Sequence, residues 1–373
     1  MLFATPTLNE AQKKILDQVE ETRDRLKHVL RTKRRWLGSL RRNTFARAVQ
    51  GSNSIEGYTV SDEDAIAVIE GEEPLDAEKE TAAAVRGYRD AMTYVLELAQ
   101  DRYFSYSSGL LNSLHFMMVS YDLSRNPGRW RLRPIYVRDE EREVTVYEAP
   151  DPDLVPELMA ELMEGLNEEG AHHCMVKAAM AHLNLVMIHP YSDGNGRMAR
   201  CLQTLVLARE GILESQFCSI EEFLGRNTRS YYEVLGRVGN GIWSPERDAS
   251  EWVDYCLRAH HHQATTLIRR TREIDRIWTE LEQLMKTRQL PERTIYALSD
   301  ATFGWRVRNA TYRKIAEVSD QVASRDLKLL TDQKLLVPAG EKRGRGYVAA
   351  EILRQIRIRC REPRPAFEPW TGV

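Results

Sequence analysis

Long apolar runs, paired cysteines and an excess of either charge are all missing from this 373-residue chain. With no stretch near the length of a membrane span and no charged-then-apolar leader pattern, the expectation is a soluble, cytoplasmic protein without membrane contact. Fifty-three basic and 55 acidic side chains leave a formal charge of -2, which argues against binding nucleic acid or a lipid surface with the whole chain. The five cysteines, Cys174, Cys201, Cys218, Cys256 and Cys360, have neither CxxC pairing nor zinc spacing and are expected as reduced core thiols. The histidine runs His172–His173 and His260–His262 place neighbouring rings on different helix faces, so no metal site is expected there. Repeats and low-complexity tracts are absent too, and the length allows two or three domains.

What the chain does have is concentrated in twelve residues, His189 to Arg200, reading HPYSDGNGRMAR. The preceding stretch from Met175 to Ile188 is apolar at helical spacing and meets Pro190, which lacks an amide hydrogen and pushes its neighbour out of the helical region. His189 is therefore expected at a helix C-terminus, facing a loop. Gly194 and Gly196 can take positive φ, so that successive amides converge into an anion-binding nest. Met198 to Leu207 is helix-forming, and its positive N-terminal end points at the same place. Arg197 and Arg200, three apart, share a face, and two forked donors suit two phosphate groups. Asp193 supplies a hard oxygen ligand for Mg²⁺, which takes one or two carboxylates together with substrate phosphates. His189 is then the one group near neutral pH, and so the candidate general base. A calcium-binding EF loop fails, because Arg197 and Thr204 stand where ligands belong.

These residues resemble the signature of the Fic family, HPFxDGNGRxxR, with Tyr191 in place of Phe and every other specified position present. The resemblance implies a mainly α fold: a Fic helical core with a small β-hairpin flap. It also implies transfer of AMP from ATP to a Ser, Thr or Tyr hydroxyl of a target protein. Carried over by position, His189 would deprotonate the hydroxyl and Asp193 would hold Mg²⁺. Gly194, Asn195, Gly196 and the loop amides would bind the α-phosphate region, and Arg197 and Arg200 would clamp the outer phosphates. Tyr232 matches a family Tyr that lines the nucleoside pocket. The related Doc toxins, which transfer the γ-phosphate, carry Lys where this chain has Gly196, so nucleotidyl transfer is expected. The hydroxyl that Tyr191 adds must find a partner or water.

Far upstream, Ser52 to Gly57 reads SNSIEG and resembles the inhibitory motif [S/T]xxxE[G/N] of many Fic proteins. By that resemblance Glu56 would pair with Arg200 and occupy the place of the γ-phosphate, with Ser52 and Gly57 as the other motif residues. Related proteins use the same Glu to orient a water that removes AMP, so a de-AMPylase using the same site is an alternative. Between the motifs, IYV and VTV within Ile135 to Val146 read as a β-hairpin, similar in position to the family's target-docking flap.

The rest of the chain divides by pattern. Residues 1–100 form an N-terminal helical region that carries the inhibitory motif, and residues 101–285 the catalytic core. Residues 286–352 resemble a winged helix-turn-helix, with helices at Glu292–Ser299, Thr311–Glu317 and Gln321–Asp332 and a wing carrying Lys342, Arg343 and Arg345. Residues 353–373 are expected as a tail. On DNA, Gln321, Ser324, Arg325 and Lys328 would face the major groove. The alternative to an enzyme is thus a regulator that uses this module on DNA or a protein, with the core as nucleotide sensor. A homodimer is the expected assembly.

Overall fold

The computed structural model describes residues 1–363 except 33, 140–142, 169, 171, 212–216 and 341–345. Helix α1 (Glu10–Arg31) opens with a capping box, in which Asn9 and Gln12 satisfy each other's backbone amides. The N-terminal helical region opens with two helices, because Thr32 turns extended before α2 (Leu37–Ile55) begins. Ser61 caps α3 (Asp62–Ile69) through the Asp64 amide, as its spacing predicts. Helices α4 (Lys79–Leu98) and α5 (Ser108–Val119) follow.

Strands β1 (Tyr136–Asp139) and β2 (Val144–Glu148) then pair as an antiparallel hairpin with a register shift after Val137. The hairpin stands where the sequence places it. The Tyr147 hydroxyl pins it to the core by donating to the carbonyl of Met187, 2.8 Å away, two residues before His189.

After α6 (Val155–Asn167), the centre of the molecule is α7 (Cys174–Ile188) packed against α8 (Asn195–Arg209). Both are buried on nearly every side, which is why α7 reads as apolar all round. Short helices α9 (Glu221–Arg226) and α10 (Thr228–Gly239) follow, α9 packed on α2 and α11 and α10 on α11 and β2.

Helix α9 meets α2 at a backbone-to-backbone crossing of Gly51 and Gly225. A Cβ on Gly51 would come within 2.5 Å of the Glu221 carbonyl oxygen, and one on Gly225 within 2.6 Å of the Gly51 Cα. This contact seats the helix that carries Glu56. Gly51→Ala is therefore expected to cost about 1–3 kcal/mol in chemical denaturation and to lift α2 from its seat. A stability equal to wild type would mean that the crossing has slack.

Helix α11 (Ser250–Arg288) runs 39 residues, past the expected end of the core at residue 285. The charges of its second half hide a buried stripe, Ile274, Ile277, Trp278, Leu281 and Met285, at helical spacing. That stripe receives the C-terminal module, whose first helix α12 (Ile295–Thr302) places the Ser299 hydroxyl 3.0 Å from the Trp278 indole nitrogen. Helices α13 (Asn309–Ile315) and α14 (Asp320–Asp332) lead to an antiparallel pair, β3 (Leu336–Ala339) and β4 (Gly346–Ala349). The basic residues expected on the wing, Lys342, Arg343 and Arg345, lie outside the described residues. The expected tail from residue 353 is corrected: α15 (Glu351–Cys360) buries Leu353, Ile356 and Cys360 against α11 and α12.

The module also grips α3 and the turn after it. Arg308 reaches Glu72 at 3.5 Å and Asp64 at 3.7 Å, Thr311 donates to Glu72 at 2.7 Å, and Lys314 donates to the carbonyl of Glu70 at 2.7 Å. One apolar core runs from Phe3 to Cys360. Among the described residues, no helix is long and apolar enough to cross a membrane.

Candidate active site

His189 ends α7 in the left-handed conformation, φ 52°, and the chain turns back to start α8 at Gly194, φ 76°. Positive φ at 194 costs little only without a Cβ, so this glycine sets where α8 begins. The His189 ring is fixed by Nδ1, 3.1 Å from the carbonyl of Val186. A carbonyl only accepts, so Nδ1 carries the hydrogen and Nε2 keeps its lone pair. Burial, helped by the charge of Arg131, lowers the His189 pKa to about 4. The ring is therefore neutral and able to take a proton at physiological pH.

Arg197 and Arg200 project from the first turns of α8, each 1% exposed. Nε and Nη1 of Arg197 and Nη1 of Arg200 are buried without a hydrogen-bond partner. Such donors are costly to leave unpaired, and two guanidiniums at a helix N-terminus fit an anion that brings several acceptor oxygens.

The remaining donors of Arg200 are taken by α2. Its Nε donates to Ser52 Oγ at 2.8 Å, and its Nη2 to the Ser52 carbonyl at 3.0 Å and to Glu56 Oε1 at 2.6 Å. Ser52 and Glu56 are four apart on the last turns of the helix, so one face presents both. Gly57, φ 84°, terminates α2: its amide bonds to the Ser54 carbonyl and the Tyr58 amide to the Asn53 carbonyl, a Schellman motif.

The segment from 106 to 207, which spans α5, the hairpin, α7, the loop and most of α8, matches the Fic/DOC family. Residues 106–207 form a Fic/DOC-family domain. The chain is similar to the protein adenylyltransferase Fic of Nematostella vectensis, 26% identical over 255 residues that cover 65% of this chain and 54% of that protein. Similarity to adenylyltransferase fic-1 of Caenorhabditis elegans is 26% over 211 residues, 56% of this chain and 40% of the relative. The chain thus spans about half the length of these relatives or less. A crystal structure of a Fic family protein from Desulfovibrio desulfuricans G20 superposes with a TM-score of 0.59 at 23% identity, covering 93% of this chain and 98% of that one. The Fic fold therefore extends beyond the matched segment.

One expectation about the loop needs correction. Gly196 lies inside the first turn of α8 rather than at positive φ. What it contributes is space, since a Cβ there would overlap the Glu56 carboxylate and press on Arg200. Asn195 is spent on the loop itself: its Oδ1 accepts from the Tyr191 amide at 2.9 Å and its Nδ2 donates to the Tyr191 carbonyl at 2.8 Å. These bonds brace the turn and use one of the two Nδ2 hydrogens. The Tyr191 hydroxyl finds its partner in Asn112 Oδ1, 3.1 Å away, and its ring stacks on His115. Tyr232 is half-exposed on α10, its hydroxyl 3.3 Å from the Ile55 carbonyl and thus beside Glu56.

Several functional neighbours in the Fic domain escaped the sequence reading. His115 Nε2 donates to the Asp193 carbonyl at 2.9 Å while Nδ1 accepts from the Gly128 amide at 2.8 Å, an arrangement that requires the neutral ring. Burial lowers its pKa to about 4 as well. Arg131, buried, donates to the His189 carbonyl at 2.8 Å and holds the end of α7 to the hairpin. Arg125 lies 2.7 Å from Asp193 Oδ2. No local spacing signals the contacts of His115 and Arg125 with Asp193 or of Arg131 with His189, since each joins residues more than fifty positions apart.

Asp193 fits Mg²⁺ only as a shared site. Burial works to raise its carboxyl pKa, but Arg197 and Arg125 hold it below the usual range, so it is ionised. Among the described residues, no group of three metal-ligating side chains exists. A single carboxylate beside unpaired phosphate-type donors matches an ion whose other ligands are phosphate oxygens and water.

Proposed function

We propose that the chain is a protein adenylyltransferase that moves AMP from ATP to a Ser, Thr or Tyr hydroxyl of a target protein, restrained by Glu56. The observation that carries this reading is a neutral His189 with a free Nε2 beside the unpaired guanidinium nitrogens of Arg197 and Arg200. The named adenylyltransferase relatives support the same chemistry.

In this reading Nε2 of His189 takes the proton of the acceptor hydroxyl. The oxygen attacks the α-phosphorus, the bond from that phosphorus to the bridging oxygen breaks, and pyrophosphate leaves. Arg197 and Arg200 hold the outer phosphates and stabilise the charge that develops on them. Mg²⁺ held through Asp193 would neutralise phosphate charge. The target segment would add to the exposed edge of the hairpin, where Tyr136, Val144 and Val146 face solvent, as an extra strand. Tyr232, at the mouth beside Glu56, is assigned to the nucleoside. With the Glu56 carboxylate on Arg200, that arm of the clamp is occupied where the γ-phosphate would bind.

The test incubates wild type, Glu56→Gly and His189→Ala with Mg²⁺ and ATP labelled at the α- or the γ-phosphate in a cell extract. Protein label from the α position alone, stronger in Glu56→Gly and lost in His189→Ala, is the expected result. Label from γ would replace the reading with phosphoryl transfer, and no label from either position would overturn it.

The C-terminal module supports a second role, contact with DNA or a protein. Gln321, Ser324, Arg325 and Lys328 are all exposed on α14, the face the helix-turn-helix resemblance assigns to recognition. Salt-dependent retention of promoter DNA, lost on Arg325→Ala, is the matching measurement.

A further inference from the structure

Glu56 accounts for Arg200 but for neither Arg197 nor Asp193, and both of these are also engaged by side chains outside the loop. We infer that Tyr58 and Arg125 form a second restraint on this site, one that covers Arg197 and holds the Asp193 carboxylate against an incoming divalent cation. The inference rests on the nucleotidyl-transfer reading and concerns how the same site is regulated.

The geometry begins with Gly57. Its left-handed turn ends α2 and swings Tyr58 over α8, where the phenol ring lies 5.2 Å from the Arg197 guanidinium. The covered face belongs to the guanidinium whose Nε and Nη1 are buried and unpaired. Those nitrogens donate in the guanidinium plane, so a phosphate that reaches them lies next to the Tyr58 ring.

The Tyr58 hydroxyl continues the contact. It accepts from Arg125 Nη1 at 2.6 Å and from the Tyr121 hydroxyl at 3.0 Å. The same Nη1 donates to Asp193 Oδ2 at 2.7 Å. Arg125 is itself fixed from behind, its Nε on Asp122 at 2.8 Å and its Nη2 on Glu80 at 2.6 Å, and its guanidinium lies over the Tyr121 ring. With Arg197 Nη2 a further 3.7 Å from the same oxygen, Asp193 Oδ2 faces two guanidiniums. A divalent cation arriving there meets like charge at close range. Asp122 and Glu80 give Arg125 somewhere to remain when it lets go of Asp193, so release needs no unfolding.

Glu56, Gly57 and Tyr58 thus act as one unit. Withdrawing the end of α2 frees Arg200 and uncovers Arg197 together, and removes the hydroxyl that steadies Arg125 at Asp193. Glu56→Gly alone leaves the second restraint in place.

The opposite role for Arg125, holding Asp193 ready for a metal, predicts the opposite change on its removal. The experiment measures Mn²⁺ binding to the full chain by electron paramagnetic resonance with a non-transferable α,β-methylene ATP analogue, and analogue affinity by calorimetry. It compares Glu56→Gly with the double variants that add Arg125→Gln, Arg125→Lys, Tyr58→Phe or Tyr58→Ala. The expected result is Mn²⁺ bound about tenfold more tightly with Arg125→Gln, with a smaller gain for Tyr58→Phe and return toward the parent for Arg125→Lys. Tyr58→Ala is expected to tighten the analogue as well. Unchanged or weaker Mn²⁺ binding in both Arg125→Gln and Tyr58→Phe, with the analogue still bound, would overturn the restraint and leave the adenylyltransferase reading intact. Failure of Glu56→Gly to bind the analogue at all would overturn both. Tyr58→Phe keeps the ring and its packing, so a loss of fold in the alanine variant does not remove the test.

Discussion

Alanine at position 189 is expected to lower AMP transfer by about a hundred- to ten-thousand-fold, the usual contribution of a positioned general base. The ring makes one hydrogen bond, to the carbonyl of Val186, and the loop around it is held by Arg131, His115 and Asn195 instead. Affinity for the ATP analogue and thermal stability should therefore stay close to wild type while the rate collapses. Measured in the Glu56→Gly background with α-labelled ATP, this separates a chemical role from a structural one. The pH profile gives a second reading. Because burial lowers the His189 pKa to about 4, the base is already neutral at mildly acidic pH. The rate should show no inflection from this group between about pH 6 and 8 and fall as pH drops toward 4, where the ring protonates. A rate that climbs steeply through pH 6.5 would mean that the base is an ordinary exposed imidazole.

Glu56→Gly is expected to raise the rate by about ten- to a hundredfold, which corresponds to the 1.5–3 kcal/mol of a charge-assisted hydrogen bond. The carboxylate sits 2.6 Å from Arg200 over the space left by Gly196, where the outer phosphate oxygens would bind. Moving a switch from 1:99 to 99:1 takes about 5.5 kcal/mol, so this one contact gives partial silencing. In the proposed restraint, the Gly51–Gly225 crossing, the Tyr58 contacts and the grip of the C-terminal module on α3 would supply further packing. Equal labelling by Glu56→Gly and wild type would remove Glu56 from the inhibitory role. Equal activation by Glu56→Gln would show that charge, rather than side-chain volume, is what occupies the clamp.

Where structure follows from local chemistry, the sequence could be read directly. Pro190 after an apolar stretch stops α7 where it must, and Gly194 starts α8, so His189 and the two arginines fall into place without tertiary information. Ser52 and Glu56 are legible for the same reason, since a spacing of four on a helix puts both on one face. The errors arise where distant packing decides. The bracing of the loop by Asn195 has no local signal, and Gly196 looks like a turn residue until Glu56, 140 positions earlier, is found above it. Arg125 has an acidic neighbour in Asp122 but nothing local that announces Asp193. The second half of α11 was hidden because charged residues interleave with the buried stripe that receives α12 and α15.

The grip of Arg308, Thr311 and Lys314 on α3 makes the two ends of the chain thermodynamic partners. Helix α3 begins at Asp62, a short step after Glu56, and α2 has little slack where Gly51 meets Gly225. On the proposed function, a ligand of the C-terminal module that favours one position of α3 would change the nucleotide affinity of the loop by some factor. Linkage then requires nucleotide to change the affinity of that ligand by the same factor, so the occupancy of either site can be measured at the other.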